Sequence, residues 1–310
     1  MIKVLITGGA GFIGSSLADK LLEQEQYFLV LVDSLLTGDV RKVSTQVRCK
    51  FIKCDVNNYN DISAIMTSYQ FDYVFHYAAV VGVKRTLDNP VMVLNDLEGI
   101  KNILSLSKNT GVKRVFFSSS SEVYGEPVEL PQHEETTPLN SRLPYAIVKN
   151  VGESFCRSYH QEFGLEYTIF RFFNTFGPKQ STDFVISKFL KSALANKPIT
   201  IYGNGQQTRT FCYIDDNTTT TLHILENNLI VNDVINVGND RNFTILELAE
   251  TIIRITKSKS TIEYLPPLKE GDMTRRQPDS TKMKKILNRD FISLEDGIRR
   301  ILQSEMIFLK

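Results

Sequence analysis

The chain has no tryptophan, only four cysteines and four histidines in 310 residues, and almost no net charge (+1). Each scarcity excludes something. Cys49, Cys54, Cys156 and Cys212 form no C-x-x-C pair, so neither a disulfide framework nor a zinc site is expected. His76, His133, His160 and His223 are equally scattered. The charge balance leaves no electrostatic footprint for nucleic acid or an anionic membrane surface. No apolar run approaches the ~20 residues of a membrane helix, and no basic segment followed by an apolar one marks a signal peptide at the N-terminus. The expectation is a soluble cytoplasmic protein that binds neither nucleic acid nor membrane. With 42% hydrophobic residues, the length suits one large domain or two modest ones, each with a real core.

What is present is alternation. Residues 2–6, 28–32, 50–53, 73–76, 115–118 and 167–171 read as strands, and 15–22, 61–68, 90–108 and 145–163 as helices between them. The strands are apolar at consecutive positions, as expected when helices cover both faces of a parallel sheet. The fold class is therefore α/β: a Rossmann-type, doubly wound parallel sheet with a smaller C-terminal α/β substrate domain. After Gly177-Pro178 the texture changes. Residues 183–196, 245–256 and 294–302 read as helices, 199–202 and 234–237 as strands, and 269–279 as a charged stretch after Pro266-Pro267. The expected division is a dinucleotide-binding domain over 1–176 with a return at about 208–238, and a substrate domain over 177–207 and 239–310.

The sequence Thr7-Gly8-Gly9-Ala10-Gly11-Phe12-Ile13-Gly14 joins the first strand to the first helix. Gly8 and Gly9 permit a tight turn, Gly11 lets the backbone approach a pyrophosphate, and Gly14 lets helix and strand pack closely. The helix N-terminus offers its amides and positive dipole end to the phosphates. Asp33 ends the second strand, where a carboxylate takes the adenosine ribose hydroxyls and repels a 2′-phosphate, so the cofactor is NAD rather than NADP. Tyr145 and Lys149 lie four apart at a helix start and project from one face. A nearby ammonium favours phenolate, which turns a weak base into a usable one.

Taken together, TGGAGFIG (7–14), Asp33, CDV (54–56), HYAA (76–79), SSSSEVYG (118–125), YAIVK (145–149), RFFNTFGP (171–178) and GNGQQTRTF (203–211) resemble the extended short-chain dehydrogenases/reductases that modify nucleotide sugars. The resemblance covers nearly the whole chain. It implies that Tyr145 takes the proton of the sugar 4-hydroxyl, that Lys149 holds the nicotinamide ribose and tunes Tyr145, and that Ser120 hydrogen-bonds the reacting oxygen. It places Gly8, Gly11, Phe12, Ile13, Gly14, Asp33, Asp55, Val56 and Ala78 around the cofactor, with Asp55 and Val56 at the adenine. Ser121, Asn174, Arg209 and Arg276 would face the substrate, the last three its diphosphate, which a planar, permanently charged guanidinium suits. It also implies a homodimer joined by helices at about 97–108 and 145–163; Ile147, Val151, Phe155 and Tyr159 form an apolar stripe on the second.

The triplet Ser120-Ser121-Glu122 bears on the reaction. Ser121 stands where dTDP-glucose 4,6-dehydratases carry the aspartate that helps expel water, and Glu122 where UDP-galactose 4-epimerases usually have no acid. Ser/Thr-Ser-Glu before Val-Tyr-Gly is similar to UDP-glucuronate decarboxylases and to GDP-mannose 4,6-dehydratases. The sequences 174–178 and 276–279 lean toward the decarboxylases, whereas Val80-Val81-Gly82-Val83 looks more like the epimerases and dehydratases. The leading expectation is an NAD-dependent decarboxylase of a UDP-linked uronate with Glu122 in its catalytic set. A UDP-hexose 4-epimerase comes next, then a 4,6-dehydratase. A non-catalytic NAD-binding sensor fits poorly with an intact Ser120, Tyr145 and Lys149. One departure is local: many relatives carry asparagine three residues before Gly99, where this chain has Asp96 after Asn95. There the resemblance implies a packing role.

Overall fold

A computed structural model describes residues 1–267 and 276–304, and the backbone alone at Val83 and Lys84. Of the charged stretch expected over 269–279, residues 269–275, Arg275 included, lie outside the described residues. The chain forms two compact units. The first comprises Met1–Val123, Ser141–Phe172 and Thr218–Ile235; the second comprises Tyr124–Asn140, Phe173–Asn217 and the chain from Asn236 onward.

The first unit is built on a seven-stranded sheet. Its spatial order is Asp233–Val237, Glu166–Phe172, Arg114–Ser120, Tyr73–His76, Ile2–Thr7, Tyr27–Asp33, Cys49–Lys53. The pairings from Cys49–Lys53 through Glu166–Phe172 are all parallel, as the helical connections between them require. Both faces are covered, so Val4, Leu5 and Ile6 are buried in succession, as are Val30, Leu31 and Val32. One face carries stacked rings across three strands: Phe75 on Phe116 at 4.3 Å, and Phe116 on Phe170 at 6.0 Å. The strand order reverses between Ile2–Thr7 and Tyr73–His76. Loops leaving adjacent strands in opposite directions open a crevice there, the place where doubly wound sheets bind ligands.

The fold class read from the sequence is the one observed, and each of the six expected strands lies within one residue or two of its observed bounds. Two helical readings change. The single helix expected over 90–108 is Pro90–Leu94 followed by Asp96–Thr110, preceded by a further short helix, Val83–Asp88. Pro90 is the first helical residue, where its missing N–H costs nothing. The helix Ile214–Glu226 went unread, because Asn217 and Thr218–Thr221 interrupt its apolar pattern although Thr218, Thr220 and Thr221 are buried.

In the second unit Thr175–Phe176 pairs with Cys212–Tyr213, Thr208–Thr210 with Asn242–Thr244, and Ile199–Tyr202 with Ile262–Leu265. The first two pairings hold 208–213 in this unit, so the return to the first covers Thr218–Ile235 and not the expected 208–238. The helix Ile245–Thr256 packs against Val185–Leu194 and Leu294–Gln303. It opens with a capping box, Thr244 Oγ1 accepting from Glu247 N while the Glu247 carboxylate accepts from Thr244 N. A buried network joins the first and last of the unit's three chain segments: Tyr124 donates to Asn236 Oδ1 at 2.7 Å, and Asn236 donates to Gln132 O and, from its backbone, to Glu134 Oε1.

Candidate active site

At the switch point the first and fourth strands are locked by Thr7. Its hydroxyl accepts the N–H groups of Tyr77 and Ala78, each at 3.1 Å, and therefore gives its own proton to His76 Nδ1 at 2.9 Å. That bond needs a neutral ring. Burial first, and the Lys149 charge second, push the His76 pKa down to about 3. Gly8 follows with φ +68°, and a Cβ there would stand 2.8 Å from Ala78 N. A Cβ on Gly14 would strike the Gly8 carbonyl oxygen, so helix and loop touch only because both are glycine. Gly9 differs from its expected turn role: it has no positive φ, and its Cβ would lie 2.6 Å from Leu31 Cβ, so its task is packing against the second strand.

Gly11 is the N-cap of the helix Phe12–Leu22 and has no side chain to cap the first-turn amides; Phe12 and Ile13, half-buried, form that turn. Asp33 anchors the next loop, its Oδ2 accepting from Ala10 N at 3.1 Å and its Oδ1 from Leu35 N at 2.8 Å. A carboxylate accepts about four hydrogen bonds, so ribose hydroxyls can still be served. Asp55 is exposed, with Oδ1 on Asn57 N at 3.0 Å. The Val56 side chain is buried in the main hydrophobic cluster, and its carbonyl accepts from Asn102 Nδ2 at 3.0 Å.

The helix Pro144–Phe163 carries Tyr145 and Lys149 one turn apart. Ala146, Val148, Lys149, Gly152, Glu153 and Cys156 are its buried residues. Lys149 Nζ lies 3.3 Å from Ser118 Oγ, 5.1 Å from the Phe117 ring centre and 5.7 Å from that of Tyr145. Burial lowers its pKa to about 8, against the opposing pull of the Asp96 charge. The four serines separate. Ser118 donates to His76 O, Ser119 donates to the buried Glu153 at 2.6 Å, and Ser120 Oγ accepts from Glu122 N at 3.2 Å. Ser121 and Glu122 open the short 3-10 turn Ser121–Tyr124.

In the second unit Asn174 donates to Thr210 O at 3.2 Å, which sets it against the strand carrying Arg209. Arg209 donates to Thr208 O. Arg276 is buried next to Gln277, whose carbonyl accepts from Gln132 N at 2.7 Å.

Residues 4–238 match the model of the NAD dependent epimerase/dehydratase family. The chain belongs to that family. It is similar to UDP-glucuronic acid decarboxylase 1 of Danio rerio, with 33% identity over 309 residues that cover 97% of this chain and 72% of the relative. Among solved structures it is similar to UDP-glucose 4-epimerase of Thermotoga maritima with UDP-glucose (TM-score 0.92, 31% identity, 97% of this chain and 98% of that one). A second is UDP-glucuronic acid 4-epimerase of Bacillus cereus in complex with UDP-glucuronic acid and NAD (TM-score 0.88, 31% identity, 97% and 99%). The family expected from the motifs is thus the family found, and its members are NAD-dependent enzymes that modify nucleotide sugars.

The residues present fit NAD. The glycine cradle admits no Cβ at Gly8 or Gly14, the helix start is uncapped by a side chain, and the second strand ends in a carboxylate. Sequence reading missed four residues that shape this part of the family's site: Thr7, His76, Ser118 and Glu153. Thr7, His76 and Ser118 each open a motif quoted above without a role of their own, and Glu153 is a carboxylate four residues after Lys149 and so on the same buried face. No described helix is long and apolar enough to cross a membrane, and no cluster of potential metal ligands occurs among the described residues.

Proposed function

We propose that this protein decarboxylates a UDP-linked uronate through transient oxidation at C4. The observation that carries this reading is Glu122, an acid held beside Ser120 by its own N–H in the 3-10 turn. The decarboxylase relative supports it. NAD, when bound, would supply the acceptor for the C4 hydride and the donor that returns it to C4 once carbon dioxide has left and C5 is protonated. Tyr145 takes the 4-hydroxyl proton, Ser120 hydrogen-bonds that oxygen, and Lys149 binds the nicotinamide ribose and favours the phenolate of Tyr145. A ketone at C4 makes the C5 carboxylate a β-keto acid, which loses carbon dioxide without a metal. Glu122 and Ser121 then orient the sugar and manage the proton at C5, and Asn174, Arg209 and Arg276 hold the diphosphate.

A second reading, a 4-epimerase of a UDP-sugar, is favoured by two solved epimerases that cover 97% of the chain. Product mass separates the two. Incubated with UDP-glucuronate, the protein is expected to yield a product lighter by carbon dioxide, and Glu122→Gln to lower that rate about 10²-fold. Unchanged mass with inverted C4 would make it an epimerase; loss of water would make it a dehydratase. Turnover unaltered in Glu122→Gln would remove that residue from the mechanism.

We also propose a homodimer. On the helix Pro144–Phe163 the stripe Ile147, Val151, Phe155 and Tyr159 flanks the buried face: Ile147 is 42% exposed, while Phe155 and Tyr159 are half-buried and pack in part against the main hydrophobic cluster. Val91 and Leu94 are exposed apolar residues of the helix Pro90–Leu94, which packs against Pro144–Phe163, and Phe163 is exposed at the end of the latter. Light scattering should give twice the chain mass; a monomer at working concentration rejects the proposal.

A further inference from the structure

Lys149 stands at the end of a row of hydrogen bonds that crosses the sheet of the first unit. Thr7, the residue before the glycine loop, gives its proton to His76 Nδ1 on the neighbouring strand at 2.9 Å. The carbonyl of the same His76 accepts from Ser118 Oγ at 3.1 Å, one strand further on. Ser118 Oγ in turn lies 3.3 Å from Lys149 Nζ, on the helix that packs over that strand. All four residues are buried.

The chemistry of each group fixes the direction of the row. A carbonyl only accepts, so the Ser118 hydroxyl spends its single proton on His76 O and turns its lone pairs toward Lys149. An ammonium has three donors and no acceptor, so Ser118 is an acceptor held ready for a charged lysine. The row cannot carry that charge away, because His76 O takes no proton and ends the path. Among the described residues Ser118 Oγ is the one hydrogen-bond partner of Nζ, whose other near neighbours are the rings of Phe117 and Tyr145. The titratable groups on the surrounding elements are engaged elsewhere. His76 is neutral. Asp96, on the packed helix Asp96–Thr110, accepts from Val80 N at 2.7 Å. Glu153, one turn along the same helix as Lys149, is taken up by Ser119, Arg157 and Arg171.

We infer that Ser118 is a positioning residue for Lys149: it takes one of the ammonium's three hydrogen bonds and leaves the other two to be offered, from a fixed point, to the cofactor ribose. The inference rests on the proposed role of Lys149 toward that ribose and Tyr145. The same row ties the lysine to the glycine loop, since Thr7 also accepts the N–H groups of Tyr77 and Ala78, and Gly8 packs on Ala78. Without the Ser118 oxygen the ammonium stays buried and loses that acceptor. Burial already holds the Lys149 pKa down at about 8, and losing a bond made to the charged form pushes it further down. A neutral Lys149 neither favours the Tyr145 phenolate nor keeps all its donors for a ribose.

The test compares Ser118→Ala, Ser118→Cys and Ser118→Thr. Cysteine keeps the volume but offers sulfur, a weak acceptor, whereas threonine keeps the hydroxyl. Lys149 is titrated in protein carrying 13C-labelled lysine, read at Cε by NMR and assigned by its loss in Lys149→Met. In Ser118→Ala and Ser118→Cys the midpoint should fall by on the order of one pH unit. Turnover of UDP-glucuronate should fall roughly tenfold, and the alkaline limb of the kcat profile should move down with the midpoint. Ser118→Thr should stay closer to the wild type than either in both readouts. A midpoint unmoved in the alanine and cysteine variants, or moved equally in all three, would reduce Ser118 to a packing residue. Full turnover in Lys149→Met would instead sink the proposed role of Lys149, and a wild type inert toward UDP-glucuronate would sink the decarboxylase reading; the titration decides the pairing of Ser118 with Lys149 in either case.

Discussion

Tyr145→Phe is expected to lower turnover by about 10²–10⁴-fold, the usual worth of a positioned general base, with folding and NAD affinity little changed. The substitution removes one oxygen. The ring that remains is half-buried and packs against the main hydrophobic cluster, so its contacts persist. What disappears is the only group in the proposed mechanism that can take the 4-hydroxyl proton as C4 is oxidised. The neighbouring Lys149 cannot substitute. Its Nζ sits 5.7 Å from the ring centre and 3.3 Å from Ser118 Oγ, and as an ammonium it has no lone pair to offer. The check is a single-turnover rate with UDP-glucuronate beside a thermal melt and an NAD titration. Turnover within a few-fold of the wild type would overturn the acid–base assignment for every reaction open to this site, decarboxylation and epimerisation alike.

The sheet was readable because burial on both faces writes itself into the sequence as consecutive apolar residues: 28–32 becomes Tyr27–Asp33 and 50–53 becomes Cys49–Lys53. The loop at 7–14 was readable for a related reason, since close approach of backbone to backbone admits glycine and little else. Individual duties within that loop were not. Gly8 turns the chain at positive φ against Ala78, whereas Gly9 packs on Leu31, a contact 22 residues away that no local pattern records. The serines pose the same problem more sharply. Four identical residues at a strand end have no periodicity to separate them. Their partners, His76, Lys149, Glu153 and Glu122, come from a neighbouring strand, one helix and the following turn. The helix Ile214–Glu226 was hidden because threonine hydroxyls can be buried when hydrogen-bonded, which composition cannot show. In each case the local covalent pattern carries the element, and the long-range partner carries the role.

Glu153→Leu is expected to destabilise the protein by about 3–5 kcal/mol, the cost of leaving a buried charge without its partner. Glu153 is fully buried. Its Oε1 accepts from Arg171 Nε at 2.9 Å and Ser119 Oγ at 2.6 Å, and its Oε2 from Arg171 Nη2 at 2.8 Å and Arg157 Nη2 at 3.2 Å. Burial alone would raise its pKa, but the bonds and charge of Arg171, with Ser119 and Arg157, outweigh burial and hold it below the usual value. A carboxyl whose folded pKa is depressed stabilises the fold above its unfolded pKa, and that contribution is lost as pH falls through the folded value. Acid sensitivity of the wild type should therefore exceed that of the variant. Arg171 is the decisive partner because it too is buried, whereas Arg157 reaches solvent. Removing both members tests this directly: Glu153→Leu with Arg171→Met should recover much of the single-variant loss, since apolar replacement of a buried pair is often near neutral. Losses that simply add would mean that the pair is not coupled. Turnover gives the second readout. Ser119 lies between Ser118, which meets Lys149, and Ser120 at the proposed reacting oxygen. A double variant that folds but loses activity would show that the buried pair aligns the strand end for catalysis as well as holding helix to sheet.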